Sequence, residues 1–341
     1  MGGASGLGPP GGGVSSSRAR GDALTVRFYD SLSAIPDLPA APRVVAIGVF
    51  DGVHRGHQRI ILETLAQIEG TGGIATAVTF EPHPEAVLRP YAAPRLLTTL
   101  TRKAELLEAL GLEELVAVRF DREFSQLSPL SFCRLVLSDR LGACLVLVGE
   151  NFRFGHQGCG SVADLRGYGK DHGFSVQAVP LAEESGEIIS STRIRMLIKR
   201  GRVAEAARLL GRPHRLAGVV VEGSQRGREL GAPTANLAAE RGLAIPRLGV
   251  YVTRTVLGDG TRWPSVTSVG TNPTFEVDRR VRIETLLLGF AGTLYGSNIS
   301  VDFLEKIRDQ QTFPDASSLT ERIYRDAEIA RGYFDGRADL L

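Results

Sequence analysis

At 341 residues the chain is long for one hydrophobic core, and at roughly 100–200 residues per domain it predicts two. The apolar fraction of 43% and charged fraction of 23% are those of an ordinary globular protein, and a net charge of +2 gives no basic footprint for duplex nucleic acid. No stretch approaches the roughly 18 consecutive apolar residues of a membrane span, and three cysteines without CxxC spacing (Cys133, Cys144, Cys159) argue against a disulfide framework or a zinc knuckle.

Residues 1–23 are mostly Gly, Ser, Pro and Arg, with almost nothing to bury, and read as a disordered tail. They lack the apolar stretch of a secretory signal, which predicts a cytoplasmic protein. From residue 24 to 210 the chain reads as an α/β domain. RVVAIGV (43–49), GGIATAVTF (72–80), LVAVRF (115–120), ACLVLVG (143–149) and FSVQAV (174–179) are near-continuous apolar runs suited to a parallel sheet covered on both faces. Helical spacing falls between them at 56–69, 101–110, 128–141 and 161–171. Such alternation predicts an open, doubly wound parallel sheet, Rossmann-like, with its chemistry at the carboxyl ends of the strands.

Residues 211–341 have a different texture. RLAGVVVEG (215–223), GVYVTRTVL (249–257), VRIETLLLGF (281–290) and SNISVDFL (297–304) are strands joined by turn residues, predicting a mostly antiparallel barrel or sandwich. A closing helix is expected from a capping box at Ser318 and Glu321, with Leu319, Ile323, Ala327, Ala330 and Phe334 on its packed face.

The stretch GVFDGVHRGH (48–57) places His54 and His57 directly after a strand, at the start of a helix. Free backbone N–H groups and the positive end of the helix dipole make that position an anion site. Gly48, Gly52 and Gly56 permit close approach of a ligand, with Phe50 and Asp51 completing the turn. Imidazoles there can donate to phosphate oxygens, more strongly when protonated. A zinc pair would need i,i+4 spacing and a third ligand. A plainer alternative is two unrelated turn histidines, but two in one Gly-flanked strand-to-helix turn favour phosphate. In ISSTRIR (189–195), Ser190, Ser191, Thr192, Arg193 and Arg195 open a second helix, and alone would read as an ordinary N-cap with a basic face.

HxGH after the first strand together with ISSTxxR after the last resembles the nucleotidylyltransferase superfamily. TFEPHP (79–84), RFDREFSQLSP (119–129) and GENFRFGHQGCG (149–160) are similar to the adenylyltransferase module of bacterial bifunctional riboflavin kinase/FAD synthetases. GRELGAPTANL (227–237), GVY (249–251), GTNPTF (270–275) and RIETLLLGF (282–290) resemble that family's kinase module. The resemblance runs from about residue 43 to 335 in the family's order.

It implies a two-step route in which riboflavin and ATP give FMN, then FMN and a second ATP give FAD and pyrophosphate. By resemblance, His54 and His57 hold the α- and β-phosphates of ATP. Ser190, Ser191, Thr192 and Arg195 hold the rest of the triphosphate, Asn151 belongs in the nucleotide or flavin pocket, and Phe152 and Phe154 either bind the flavin beside it or pack in the core. In the kinase half, Thr234 and Asn236 are the Mg²⁺ and phosphate ligands, Arg228, Gly231 and Pro233 wrap the phosphates, and Glu284 is the flavin-contacting base. The implied cofactor is Mg²⁺, with ATP as co-substrate and FMN and FAD as products or ligands. The implied partners are small molecules rather than nucleic acid or membrane, with at most weak self-association.

The sequence departs from the family at Leu286 and Gly289, where His and Asp are usual, at Ala232 for an aromatic, and at Ser224 for Gly. Three other readings remain open: a monofunctional FAD synthetase with a flavin-binding barrel, another HxGH transferase, and a non-enzymatic flavin-responsive regulator.

Overall fold

The computed structural model describes residues 26–36, 41–222, 234–271, 281–337 and 340–341. The tail at 1–23, and with it Ser224, Arg228, Gly231, Ala232, Pro233 and most of GTNPTF, lies outside the described residues.

The first half contains β1 (Arg27–Tyr29), β2 (Arg43–Ile47), α1 (Arg55–Ala66), α2 (Ile68–Thr71), β3 (Ile74–Glu81), α3 (Pro84–Leu88), α4 (Leu100–Glu108) and β4 (Glu114–Arg119). It continues with α5 (Pro129–Phe132), β5 (Ala143–Gly149), α6 (Val162–His172), β6 (Ser175–Val179), a small hairpin of β7 (Glu183–Glu184) and β8 (Glu187–Ile188), then α7 (Ser191–Lys199) and α8 (Val203–Leu210). The expected helix at 128–141 is α5 followed by a π-helical stretch, Cys133–Ser138.

The sheet has six strands in the order β1-β4-β3-β2-β5-β6, all parallel. β2 shows why its sequence is apolar throughout. Val45 and Ile47 enter one core cluster and Ala46 another, so both faces are covered. The order reverses direction between β2 and β5, so the crevice beyond their carboxyl ends is the topological switch point.

The second half is a closed six-stranded barrel in the order β10-β13-β12-β11-β14-β9. Its strands are β9 (His214–Val221), β10 (Ala235–Ala239), β11 (Gly249–Val256), β12 (Arg262–Thr271), β13 (Val281–Leu287) and β14 (Asn298–Arg308). Sequence reading finds four of them and misses β10 and β12. For β12, part of the reason is that the barrel interior is not uniformly apolar. Thr253, Thr255, Ser265, Thr267 and Thr285 are fully buried there and bond one another, with Thr253 to Thr267 at 2.7 Å and Thr255 to Ser265 at 2.8 Å. Inward-facing hydroxyls hide the alternation that marks a strand.

Helix α9 (Ala316–Phe334) packs Ala327, Ala330 and Phe334 on Val250, Val252, Val266 and Leu304 on the outside of the barrel. Its cap differs from expectation. Asp315, not Ser318, is the N-cap and accepts from the Ser318 N–H at 2.7 Å. An extended Asp one turn earlier captures the free donor before a Ser–Glu box forms.

At the amino ends of the parallel strands, far from the crevice, Arg43 and Glu114 form a fully buried ion pair at 2.6 Å, with Thr76 also donating to Glu114 at 3.0 Å. Breaking one side of such a pair leaves an uncompensated charge, costing roughly 3–5 kcal/mol. Arg43→Leu should therefore lower the denaturant midpoint strongly, and a midpoint equal to wild type would show that the pair does not support the sheet.

Candidate active sites

After β2 the chain reverses through residues 48–53 before α1 begins. Phe50 and Val53 have φ of 50° and 39°, and Gly52 has 85°. A β-branched residue at positive φ is a backbone outlier, at a cost of order 1–3 kcal/mol, and persists only where its surroundings hold it. Here the buried carboxylate of Asp51 accepts from the Leu97 N–H at 2.9 and 3.1 Å and the Thr98 N–H at 3.2 Å, and pairs with Arg195 at 2.5 Å. Ser191 donates its hydroxyl to the Asp51 carbonyl at 2.9 Å, and the Gly52 N–H donates to Thr98 Oγ1 at 3.1 Å. The two sequence-predicted phosphate segments are thus joined directly.

His54 is the N-cap of α1. Its Nδ1 accepts from the His57 N–H at 3.3 Å, which assigns the proton of the neutral ring to Nε2. The two rings stack with centroids 3.6 Å apart, and His57 meets the edge of Phe50. Gly56 leaves room for this stacking, since a Cβ there would lie 3.1 Å from His54 Cε1 and would press on the ring.

Burial lowers the His54 pKa to about 4, with Arg212 and Arg195 adding to the effect. Burial first, then His54, Lys103 and Arg212, hold His57 well below its ordinary value. Both rings are neutral near pH 7. The stronger donation expected of protonated imidazoles is therefore not in play near pH 7, and the rings are neutral N–H donors set among fixed cations. His57 Nδ1 is buried without a partner among the described residues.

Lys103 of α4 is one of those cations and carries no sequence signal. It is buried, donates to the Val49 carbonyl at 2.8 Å and Thr79 Oγ1 at 2.9 Å, and has its pKa lowered by that burial. In LTRKAELLE it reads as one more solvated helix lysine.

Ser190 caps α7 by accepting from the Arg193 N–H, Thr192 is exposed beside it, and Arg193 pairs with Glu187. Arg195 donates to Asp51 and to the Arg95 carbonyl through Nη2 and Nε, leaving Nη1 unpartnered among the described residues. Beyond β5, on the other side of the switch point, Asn151 is exposed. Phe152 is half-buried and stacks on Phe154, which is buried against Phe132 in the core.

The barrel candidates converge through strand register. Asn236 on β10 lies directly opposite Glu284 on β13, and Glu284 lies opposite Ser268 on β12. Directly paired residues have Cβ atoms roughly 4.5–5.5 Å apart. Thr234 shares their parity, so the four face outward together, away from the buried Ala235, Ile283 and Thr285. Ser268 has the residue type and position for this row, but sequence reading missed it because β12 itself was not seen. Glu284 has no ion-pair or hydrogen-bond partner among the described residues, which leaves its carboxylate available. The donor set of hydroxyl, amide and carboxylate oxygens suits Mg²⁺, which takes few protein ligands alongside substrate phosphates. No group of three or more His, Cys, Asp and Glu gathers as a metal cage among the described residues.

Comparison with known proteins shows the family. Residues 39–193 match the family model described as FAD synthetase, and residues 210–334 match the one described as riboflavin kinase. A bifunctional riboflavin kinase/FMN adenylyltransferase from Pseudomonas fluorescens is 36% identical over 84% of this chain and 92% of its own length. The chain belongs to this bifunctional family. The relative of the same name from Escherichia coli (strain K12) is 37% identical over 89% of this chain and 97% of its own. A solved structure titled a macrolide-efflux protein from Streptococcus pneumoniae has the same fold, with a TM-score of 0.82, 30% identity, and coverage of 90% of this chain and 99% of that one. The efflux in that title is said of that protein. Here no helix among the described residues is long and apolar enough to cross a membrane. The protein is a transferase of flavin nucleotide synthesis, phosphorylating riboflavin to FMN and adenylylating FMN to FAD.

The buried histidines have a consequence for stability. His54 and His214 have folded pKa values of about 4, below the roughly 6.5 of an exposed imidazole. The unfolded chain binds protons first as pH falls, so their stabilisation is complete above about pH 6.5 and is lost between there and about 4. A urea midpoint measured from pH 7.5 down to 4.5 should decline steadily below 6.5. A flat midpoint would show that the rings are not buried as neutral groups.

Proposed function

We propose that the two reactions are divided between the two halves, with FMN adenylylation on residues 24–210 and riboflavin phosphorylation on residues 211–341. The observation that carries the division is spatial. One set of candidates gathers at the sheet's switch point, and the other forms a row on the outer face of the barrel.

In the first site an FMN phosphate oxygen attacks the α-phosphorus of ATP, and the bond to the bridging oxygen of the departing pyrophosphate breaks. No covalent enzyme intermediate is needed, so positioning and charge stabilisation account for the rate. His54 Nε2–H, His57 and the first N–H groups of α1 take the α- and β-phosphates on the turn built by Gly48, Phe50, Asp51, Gly52 and Gly56. Ser190, Ser191, Thr192 and the unpartnered Nη1 of Arg195 take the remaining charge. Asn151, with Phe152 and Phe154 behind it, borders the flavin.

In the second site Glu284 accepts the proton of riboflavin's terminal ribityl hydroxyl as that oxygen attacks the γ-phosphorus of ATP and ADP departs. Thr234 and Asn236 would hold Mg²⁺ beside it, with Arg228, Gly231 and Pro233 around the phosphates. When bound, the ion neutralises phosphate charge and orients the transferring group. The use of ATP in both steps supports a cytoplasmic location.

His57→Ala should reduce FAD formation from FMN by about 100-fold or more, as loss of a preorganised donor does, while FMN formation stays within about twofold. Glu284→Ala should do the reverse. Loss of both activities in either folded variant would end the two-site reading. Time courses of flavins separated by chromatography distinguish these outcomes.

A further inference from the structure

Arg212 stands at the junction of the two halves, two residues after α8 and inside the stretch matched as riboflavin kinase. Gly211, at φ 75°, turns the chain against α1, and a Cβ there would lie 3.3 Å from the Gln58 side chain. From this position the guanidinium reaches back to the first half. It donates to the Gly52 carbonyl at 2.6 Å and to the Val53 and Leu210 carbonyls at 3.2 Å each. The Gln58 amide donates to two of the same oxygens, Val53 and Leu210, at 2.8 Å. Among the described residues Arg212 has no carboxylate within ion-pair distance; its bonds all go to backbone carbonyls.

Gly52 and Val53 are the two residues immediately before His54, and both are at positive φ. The Gly52 carbonyl accepts from Arg212 and the Val53 carbonyl accepts from both Arg212 and Gln58, and an unpaired buried carbonyl costs about 1–3 kcal/mol. The fork of one guanidinium spans both, which a single ammonium or water cannot reproduce at fixed geometry. We propose that Arg212 is a positioning residue for adenylyl transfer, holding the Gly52 and Val53 carbonyls so that the His54 ring is set on the N-terminus of α1. It acts on the site of one half from a place in the sequence that belongs to the other. This inference rests on reading the His54–His57 turn as the adenylyl-transfer site.

The charge of Arg212 has a second effect. The groups facing the two imidazoles are Arg212, Arg195 of α7, Lys103 of α4 and the rings themselves, with Asp51 in the turn held by Arg195. Arg212 is among the cations that keep both rings neutral. A protonated His54 can no longer accept from the His57 N–H, so protonation undoes the arrangement that Arg212 supports.

The test uses the full chain carrying Arg212→Ala or Arg212→Lys, with both activities measured on the same samples across pH. The kinase rate and a melting curve report whether the protein is folded. Both variants should lose FAD formation in kcat by roughly 10–100-fold, as a misplacement of about 1 Å can cause, while FMN formation stays within about twofold. The acid limb of FAD formation should move to higher pH in Arg212→Ala and less in Arg212→Lys, which keeps the cation. A pH profile and kcat equal to wild type in both variants would overturn the proposal, as would equal loss of the two activities. His57→Ala serves as the reference. If it too leaves FAD formation intact, the failure lies in the assignment of the site rather than in Arg212.

Discussion

The carboxylate of Asp51 is the constraint on which the first site depends. A buried, ionised carboxylate is costly unless every lone pair is answered. Here two backbone N–H groups and one guanidinium answer it, from the segment before α4 and from α7. Three pieces of chain distant in sequence are thereby fixed around one turn. The positive-φ residues Phe50 and Val53 can then persist, because relaxing them would withdraw Asp51 from its donors. The same segment carries the constraint outward. Leu96 exchanges backbone hydrogen bonds with Gly242 and Ala244 of the barrel half, each at 2.8 Å, so the segment that clamps Asp51 is itself pinned from the other side.

The two proposed phosphate sites differ in how their charge is arranged. At α1 the positive potential comes from a helix terminus and from cations already committed to protein acceptors: Lys103 to Val49 and Thr79, Arg195 to Asp51 and Arg212 to carbonyls. Further protonation of His54 and His57 there would add repulsion, so neutral N–H donors are the stable choice. On the barrel, Thr234, Asn236, Ser268 and Glu284 offer oxygens with no cation among them. The turn before α1 thus carries positive charge in the protein, whereas these four barrel residues offer oxygen donors alone.

The parts of this architecture written in local pattern were legible in the sequence. The continuous apolar strands β2 to β6, the strand-to-helix turn at residues 48–57, and the packed face of α9 all follow from periodicity and composition. Short β1 has three residues and takes its place only by pairing with β4. β12 was lost partly because the barrel buries hydroxyls that satisfy one another, a pattern indistinguishable from a polar loop until the strands are paired. Lys103 and Arg212 were illegible for a related reason. Their roles are defined by carbonyls 54 and 160 positions away in sequence, and nothing in TRKAE or GRPHR announces those partners.

Register also explains why the departures at Leu286 and Gly289 leave the barrel row intact. The outer face of β13 is divided along its length. Glu284 sits between Asn236 and Ser268, while Leu286, two residues on, lies opposite Val266 and joins the apolar layer beneath α9. A leucine at 286 extends that layer by one side chain and adds no polar group to be satisfied. Gly289 follows the end of β13 at φ 82°, a conformation that glycine adopts without the penalty an L side chain incurs. Both substitutions thus conform to the local demands of packing and backbone, and neither alters the strand pairing that sets Glu284 beside Asn236. The row depends on register, and on the opposite face of β12 and β13 the Thr267 and Thr285 hydroxyls bond each other at 2.9 Å across the pairing that sets Glu284 beside Ser268.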